Sequence, residues 1–276
     1  MRGPIRLVLL MSCCGVHLAL AAGASTEFSG GDIQGTLNSQ ALSGDPVNQF
    51  RYGEWLENDA ALKSGETARA EFKEAAKWYQ LAADQDLAAA QNNLGAMYLD
   101  GRGVPEDAVM AQSYYRRAAQ RGNAEGETNL SLLILKKRVP GSVEEGISWL
   151  DSAARQGFAP AEAQLAQIYL DGVLVSPDPI RAFQLFQQSA EASYVWGEYG
   201  YALLLQEGTG TARDPTSAAL WMQRAADQDL PAALFDLSTM LETGSGLPSD
   251  KKRATMLLHR AAELGEPRAK ARLATE

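Results

Sequence analysis

The stretch LGAMYLDGRGVPEDAVMAQSYYRRAAQRGNAEG, Leu94 to Gly126, holds most of one period of a repeating pattern. Ala118 near its end is matched by Ala82, Ala153, Ser189, Ala225 and Ala261, each 35 or 36 residues from the next. Counting back from this anchor, position −7 holds Ala75, Ala111, Gly146, Ala182, Ala218 and Ala254. Position −4 holds Trp78, Tyr114, Trp149, Leu185, Trp221 and Leu257. Position −3 holds Tyr79, Tyr115, Leu150, Phe186, Met222 and Leu258. Offsets of −7, −4, −3 and 0 draw one stripe on an α-helix, small where backbones approach and large where space is filled.

A second helix follows in each period. Small residues recur at +8 (Ala90, Gly126, Ala161, Gly197, Ala233, Ala269) and large ones at +12 (Leu94, Leu130, Leu165, Tyr201, Leu237, Leu273). At +16 stand Tyr98, Ile134, Tyr169, Leu205 and Leu241. The helices are parted by Gly122, Gly157 or Gly265, or by Asp86, Ser193 or Asp229, which stop the first helix. Gly101, Gly172, Gly208 and Gly244 stop the second. Asp107, Asp178, Asp214 and Asp250 then precede the next first helix, and the Asp-Pro pairs at 178–179 and 214–215 read as an N-cap followed by proline at the first helical position. One hairpin cannot bury its own stripe, so successive hairpins must stack.

The order Leu-Gly, Tyr, Gly-x-Gly-Val, Asp, Ala, Tyr-Tyr, Ala-Ala, Gly in that stretch resembles the Sel-one-like repeat family, a relative of the tetratricopeptide repeat, and the likeness covers about residues 70–276. The resemblance implies an all-α fold, a right-handed superhelical α-solenoid whose first helices line the concave face. It also implies an adaptor that binds a protein or peptide in the groove, in bacterial envelope processes, host contact or signalling. Three local departures stand out. Lys136 to Gly141 replaces the glycine turn of the second repeat, Ser189 replaces the anchor alanine, and the last unit stops soon after Leu273.

Outside the repeats, Arg2 and Arg6, the apolar run from Leu7 to Leu20 and the small residues around Ala22 and Ala24 have the layout of a secretory signal peptide over residues 1–24. A competing reading makes Leu10-Met11-Ser12-Cys13 a lipobox, with Cys13 lipidated. No later apolar run is long enough to span a membrane. Residues 25–49 are rich in Ser, Gly, Asn and Gln and read as a flexible polar leader, and FRYGEWLENDAAL from Phe50 to Leu62 as one irregular helix. The solenoid is thus placed at residues 50–276, as about five and a half repeats of 36 residues.

Composition closes off several chemistries. The net charge is −9, becoming −11 if Arg2 and Arg6 are removed, and no basic stripe occurs, so nucleic acid is not an expected partner. Cys13 and Cys14 are the only cysteines and lie in the signal segment; His17 does too, leaving His259 as the one mature imidazole. Disulfides, thiol nucleophiles and sites needing two histidines are therefore excluded from the mature chain. His259 lies at −2, where Gln80, Arg116, Asp151, Gln187 and Gln223 stand, so it reads as a surface residue. The repeating aspartates are helix caps, Glu144-Glu145 and Glu106-Asp107 complement helix starts, and Gly101-Arg102-Gly103 lacks the Lys-Ser/Thr of a phosphate loop. Related cysteine-rich repeat proteins carry a β-lactamase label, but this chain lacks their paired cysteines and any Ser-x-x-Lys motif. No catalytic, cofactor or metal residues are assigned, and the protein reads as a non-enzyme.

Binding residues must come from positions that vary and that the scaffold does not need. At −5 and −1 of the concave side, Leu220 with Arg224 and Met256 with Arg260 form a partly apolar, arginine-bearing wall. At +10, read as outward, Tyr199 and Phe235 stand where Asn92, Thr128, Ala163 and Ala271 occur, and Trp196 is equally unusual at +7. Aromatics and arginine are enriched at binding hot spots, although the three aromatics also suit packing between neighbouring repeats. The expectation is a periplasmic or secreted adaptor with a protein or peptide partner. A regulator restraining a sensor or envelope machine is the narrower form of that reading, and a cell-wall or β-lactam hydrolase the alternative class.

Overall fold

The computed structural model describes residues 33–275, and among them every regular element is an α-helix. In chain order these are α1 (Ile33–Ala41), α2 (Pro46–Ala61), α3 (Gly65–Asp84), α4 (Ala88–Asp100), α5 (Ala108–Gln120), α6 (Ala124–Leu135), α7 (Val143–Arg155), α8 (Ala159–Asp171), α9 (Pro179–Glu191), α10 (Val195–Glu207), α11 (Pro215–Asp227), α12 (Pro231–Thr243), α13 (Lys251–Glu263) and α14 (Pro267–Leu273). Two compact units divide the chain, one ending at Ala153 and the other beginning at Ala154. Within each unit a helix packs on its neighbours in the chain, and α4 also touches α6, as α8 touches α10. This is the stacked-hairpin solenoid that the repeat demands.

The helix limits follow the expected chemistry. Asp107 accepts from the Val109 and Met110 amides at 2.9 and 3.0 Å, and Asp178, Asp214 and Asp250 each accept from the amide three residues on, at 3.0 to 3.1 Å. Each such cap contributes roughly 1 kcal/mol by satisfying an otherwise orphaned donor. The second helices end at Gly101, Gly172, Gly208 and Gly244 in left-handed conformation. In the departing second repeat Lys137 takes the left-handed turn instead, and Val139 is buried in the core beside Leu130 and Ile134.

Burial sorts the repeat positions. The −7 and anchor rows are buried throughout, and at −3 Tyr79, Leu150 and Phe186 are fully buried. Position −4 lies at the rim of the stripe. Trp78, Trp149, Trp221 and Leu257 are only half-buried there, so the ring of Trp149, read from sequence as a large buried ring, is partly wet. Ser189 is explained by its hydroxyl, which donates to the Ala159 carbonyl at 2.7 Å while fully buried. Opposite it, a Cβ on Gly197 would fall 2.4 Å from the Ser189 hydroxyl, so that position must be glycine.

Three sequence expectations need correction. The segment 33–49, read as flexible leader, forms α1 and the start of α2; residues 25–32 lie outside the described residues, as do the signal segment and Cys13. The helix read as irregular from Phe50 is regular and starts at Pro46, capped by Asp45. Its buried face includes Gln49, Gly53 and Glu57, polar or small residues that carry no apolar signal. Glu57 is buried because the Tyr79 hydroxyl donates to it at 2.7 Å and Arg102 pairs with it at 2.5 Å. The +10 row, read as outward, is mostly buried: Asn92, Thr128, Ala163 and Tyr199 are all below a tenth exposed, Phe235 is half-buried, and only Ala271 in the last hairpin is exposed. The reason is that second helices are flanked by second helices of the next hairpins. Asn129 on α6, for example, donates to Asn92 on α4 at 2.9 Å.

Candidate functional site

On the C-terminal unit, α11 and α13 present the same helical positions to solvent. Leu220 is 66% exposed and Met256 64% exposed, so the two helices carry large apolar side chains at matching surface positions. The two helices are tied by Arg253, which hydrogen-bonds the Gln223 side-chain carbonyl. Arg224 and Arg260 are both exposed, as the repeat pattern requires, but they are not equivalent.

Arg260 reaches back to the turn that closes α11. Its Nε and Nη2 each lie 3.0 Å from an oxygen of Asp229. The guanidinium holds the Asp229 carboxyl below its ordinary value, first through the hydrogen bonds and then through charge. For Arg224 the corresponding turn residue is Ser193, which offers no carboxylate. Its guanidinium lies instead 4.4 Å from the centre of the Trp221 ring, one helical turn back. No carboxylate among the described residues stands within 4.0 Å of it. Glu198 feels its charge at longer range, yet burial outweighs that pull and raises the Glu198 carboxyl. Arg224 is thus a guanidinium held against an aromatic face, with Leu220 exposed four residues before it on the same helix.

The three aromatics of the sequence reading sit elsewhere, on second helices, where they pack. Tyr199 is 6% exposed and donates its hydroxyl to Asp236 at 2.6 Å. Arg268 completes the link, bonding Asp236 at 2.9 Å and lying 4.5 Å from the centre of the Phe235 ring. Trp196 is half-buried and meets Tyr199 edge-on, with ring centres 6.1 Å apart. Burial lifts the Tyr199 phenol well above its usual range, with the Asp236 carboxylate adding to the effect. These contacts bridge α10, α12 and α14. The sequence reading missed Trp221 as the partner of Arg224, although their spacing of three residues was visible. His259 is exposed, and among the described residues no group of acidic or imidazole side chains could hold a metal ion.

The Sel1 repeat model matches residues 49–87, 88–123, 125–158, 159–194, 197–230 and 231–266. The chain belongs to the Sel1 repeat family. Its six Sel1 repeats pair each second helix with the first helix that follows it, so α2, outside the register read from the anchor alanines, opens the first of them. Among solved structures, c5321, a protective antigen of uropathogenic Escherichia coli strains with an SLR fold, superposes with a TM-score of 0.72 at 25% identity. That match covers 88% of this chain and 51% of the antigen. A Sel1 repeat protein from Oxalobacter formigenes gives a TM-score of 0.68 at 24% identity, covering 83% of this chain and 84% of that one. NMB1327 of Neisseria meningitidis is 36% identical over 102 residues, which is 37% of this Sel1 repeat chain but only 21% of the relative.

Proposed function

We propose that this protein is a non-catalytic interaction scaffold whose C-terminal Sel1 repeats bind an acidic, extended segment of a partner protein across the exposed face of α11 and α13. The observation that carries the reading is Arg224, exposed, stacked on Trp221 and without the carboxylate that Arg260 has. A guanidinium already ordered by an aromatic face loses little freedom on meeting a carboxylate, and it can donate to both oxygens at once. Leu220 and Met256 add apolar area that an extended chain would cover. Arg260 contributes to the wall through its stem and its shared charge with Asp229. Trp196, Tyr199 and Phe235 support the stack of second helices that holds the wall in place.

Export to the periplasm or beyond is part of this proposal and is supported by the order of charged, apolar and small residues over 1–24. Among the described residues no helix is long and apolar enough to cross a membrane. The test combines capture and mutation. The wild-type chain and the Leu220→Glu, Arg224→Glu variant are used as baits on the same envelope extract. A partner retained by the first and lost from a folded second supports the reading, and equal retention overturns it. Intact-mass measurement of the chain from its native envelope tests export, a species retaining Met1 counting against it.

A further inference from the structure

The N-terminal unit carries a second feature that the wall on α11 and α13 does not use. Beside α3 lies a groove of about 600 Å³, floored by Leu94, walled by Tyr98, Val104 and Pro105, and rimmed by Lys73 and Lys77. Its walls are fixed. Gly103 has φ +72°, and a Cβ there would fall 2.2 Å from the Phe72 carbonyl oxygen, so the turn is pressed against the backbone of α3. Any side chain at that position would lift Val104 and Pro105 away from the groove. The Tyr98 ring stacks on Tyr114 with centres 5.6 Å apart and planes 10° apart. Tyr114 is held in turn by its hydroxyl, which donates to Gln80 on α3 at 2.7 Å.

The rim inverts the sign of an otherwise acidic chain. Lys73 and Lys77 are four residues apart on one exposed face, about 6 Å along the helix. Among the described residues Lys73 makes no ion pair, and Lys77 meets Glu74 at 2.6 Å. That pair is solvent-exposed and short in sequence, so an incoming carboxylate can replace Glu74 without stranding a buried charge. The combination is particular to α3. At the position of Lys73 the other first helices carry Val109, Glu144, Ile180, Thr216 or Lys252, and at that of Lys77 they carry Ser113, Ser148, Gln184, Leu220 or Met256. Where Ala76 leaves the groove open, α9 has Phe183, whose ring packs on Tyr201 with centres 5.1 Å apart.

We infer that this groove is a peptide-binding site in its own right. It takes a partner segment that seats one apolar or aromatic side chain between Leu94, Tyr98 and Val104 and sets flanking carboxylates on Lys73 and Lys77. A fixed apolar cavity with a few charged groups at its mouth is the usual form of a site that recognises one anchor residue. The groove belongs to the N-terminal unit and the α11–α13 wall to the C-terminal one, so either can fail alone.

The experiment is to pan a phage-displayed library of random dodecapeptides on the full-length chain, then measure the synthetic consensus peptide by fluorescence anisotropy. The expected consensus has an apolar or aromatic residue with Asp or Glu on both sides, and its binding weakens as salt rises. Lys73→Glu combined with Lys77→Glu should weaken it by at least about tenfold. Ala76→Phe, which installs the side chain that α9 carries at the same position, should block it as well. Leu220→Glu with Arg224→Glu should leave it unchanged. A consensus without acids, binding indifferent to the lysine pair in a folded variant, or loss only in the Leu220 and Arg224 variant would each overturn the assignment.

Discussion

Arg260 forks onto Asp229, its Nε and Nη2 each 3.0 Å from one carboxylate oxygen, while Asp229 itself holds the left-handed turn with φ 57°. The N-terminal unit uses the same device. Asp86, φ 66°, is met by Arg121 at 2.5 Å and Arg117 at 3.7 Å, and Arg117 also donates to the Ala83 carbonyl at 2.7 Å. An aspartate at that turn tolerates the left-handed backbone and offers a carboxylate to the arginine of the following hairpin. Where Ser193 takes the turn, the arginine is released for other contacts.

The two arginines should therefore separate in experiment. Arg224→Ala is expected to leave the urea midpoint unchanged and to weaken partner binding by about tenfold, roughly 1.4 kcal/mol. Arg260→Ala should weaken binding less, because its charge is already shared. Titrating partner against both variants at two salt concentrations checks this, and a larger loss from Arg260 would reverse the ranking.

Core contributions should follow the −3 row more closely than the −4 row. Leu150→Ala, at a fully buried position, is expected to cost about 2–5 kcal/mol. Trp149→Ala should cost less than its ring size suggests, since half-buried atoms lose less on truncation. His259→Ala, exposed, should be neutral. Urea melts of the three variants give the order directly.

Tyr199→Phe removes a buried hydroxyl from Asp236 while leaving Arg268 in place. The expected loss is about 1.5–3 kcal/mol, the scale for one hydrogen bond to a charged acceptor. Because the link joins α10 to α12, faster amide exchange in α12 should accompany it. Unchanged exchange there would mean that the second helices are held by apolar packing alone.

Acid sensitivity has an unusual component. Glu162 is 5% exposed, one of its oxygens has no partner, and burial raises its carboxyl above the ordinary value. A raised carboxyl favours the folded state fully only below its unfolded value. That contribution is lost as pH rises through the folded one. Between pH 4.5 and neutrality, stability attributable to Glu162 should thus fall with rising pH. Glu162→Gln should flatten that part of the profile and stabilise the chain at pH 7, as thermal melts across the range would show. The N-cap Asp214 and the first-turn Glu144, whose carboxyls are lowered chiefly by hydrogen bonding, act in the opposite sense at lower pH.

By itself the sequence determined everything set within one helix or one turn. Anchor alanines 35 or 36 residues apart, the apolar offsets, the capping aspartates and the glycine stops are local, and helical geometry converts each into a face or an end. Only the tertiary structure decided which polar residues are interior. The faces bearing Asn92, Glu162 and Glu198 are buried, although nothing in their periodicity marks them, because second helices are enclosed on several sides and such a helix shows no amphipathic contrast. The same holds for α2, whose buried face sets Gln49, Gly53 and Glu57 beside Tyr52 and Leu56. It holds most sharply for Arg224 and Arg260, identical in their own helices. Their difference lies in the preceding turn, Ser193 or Asp229, 31 residues away in the chain and brought within reach by stacking.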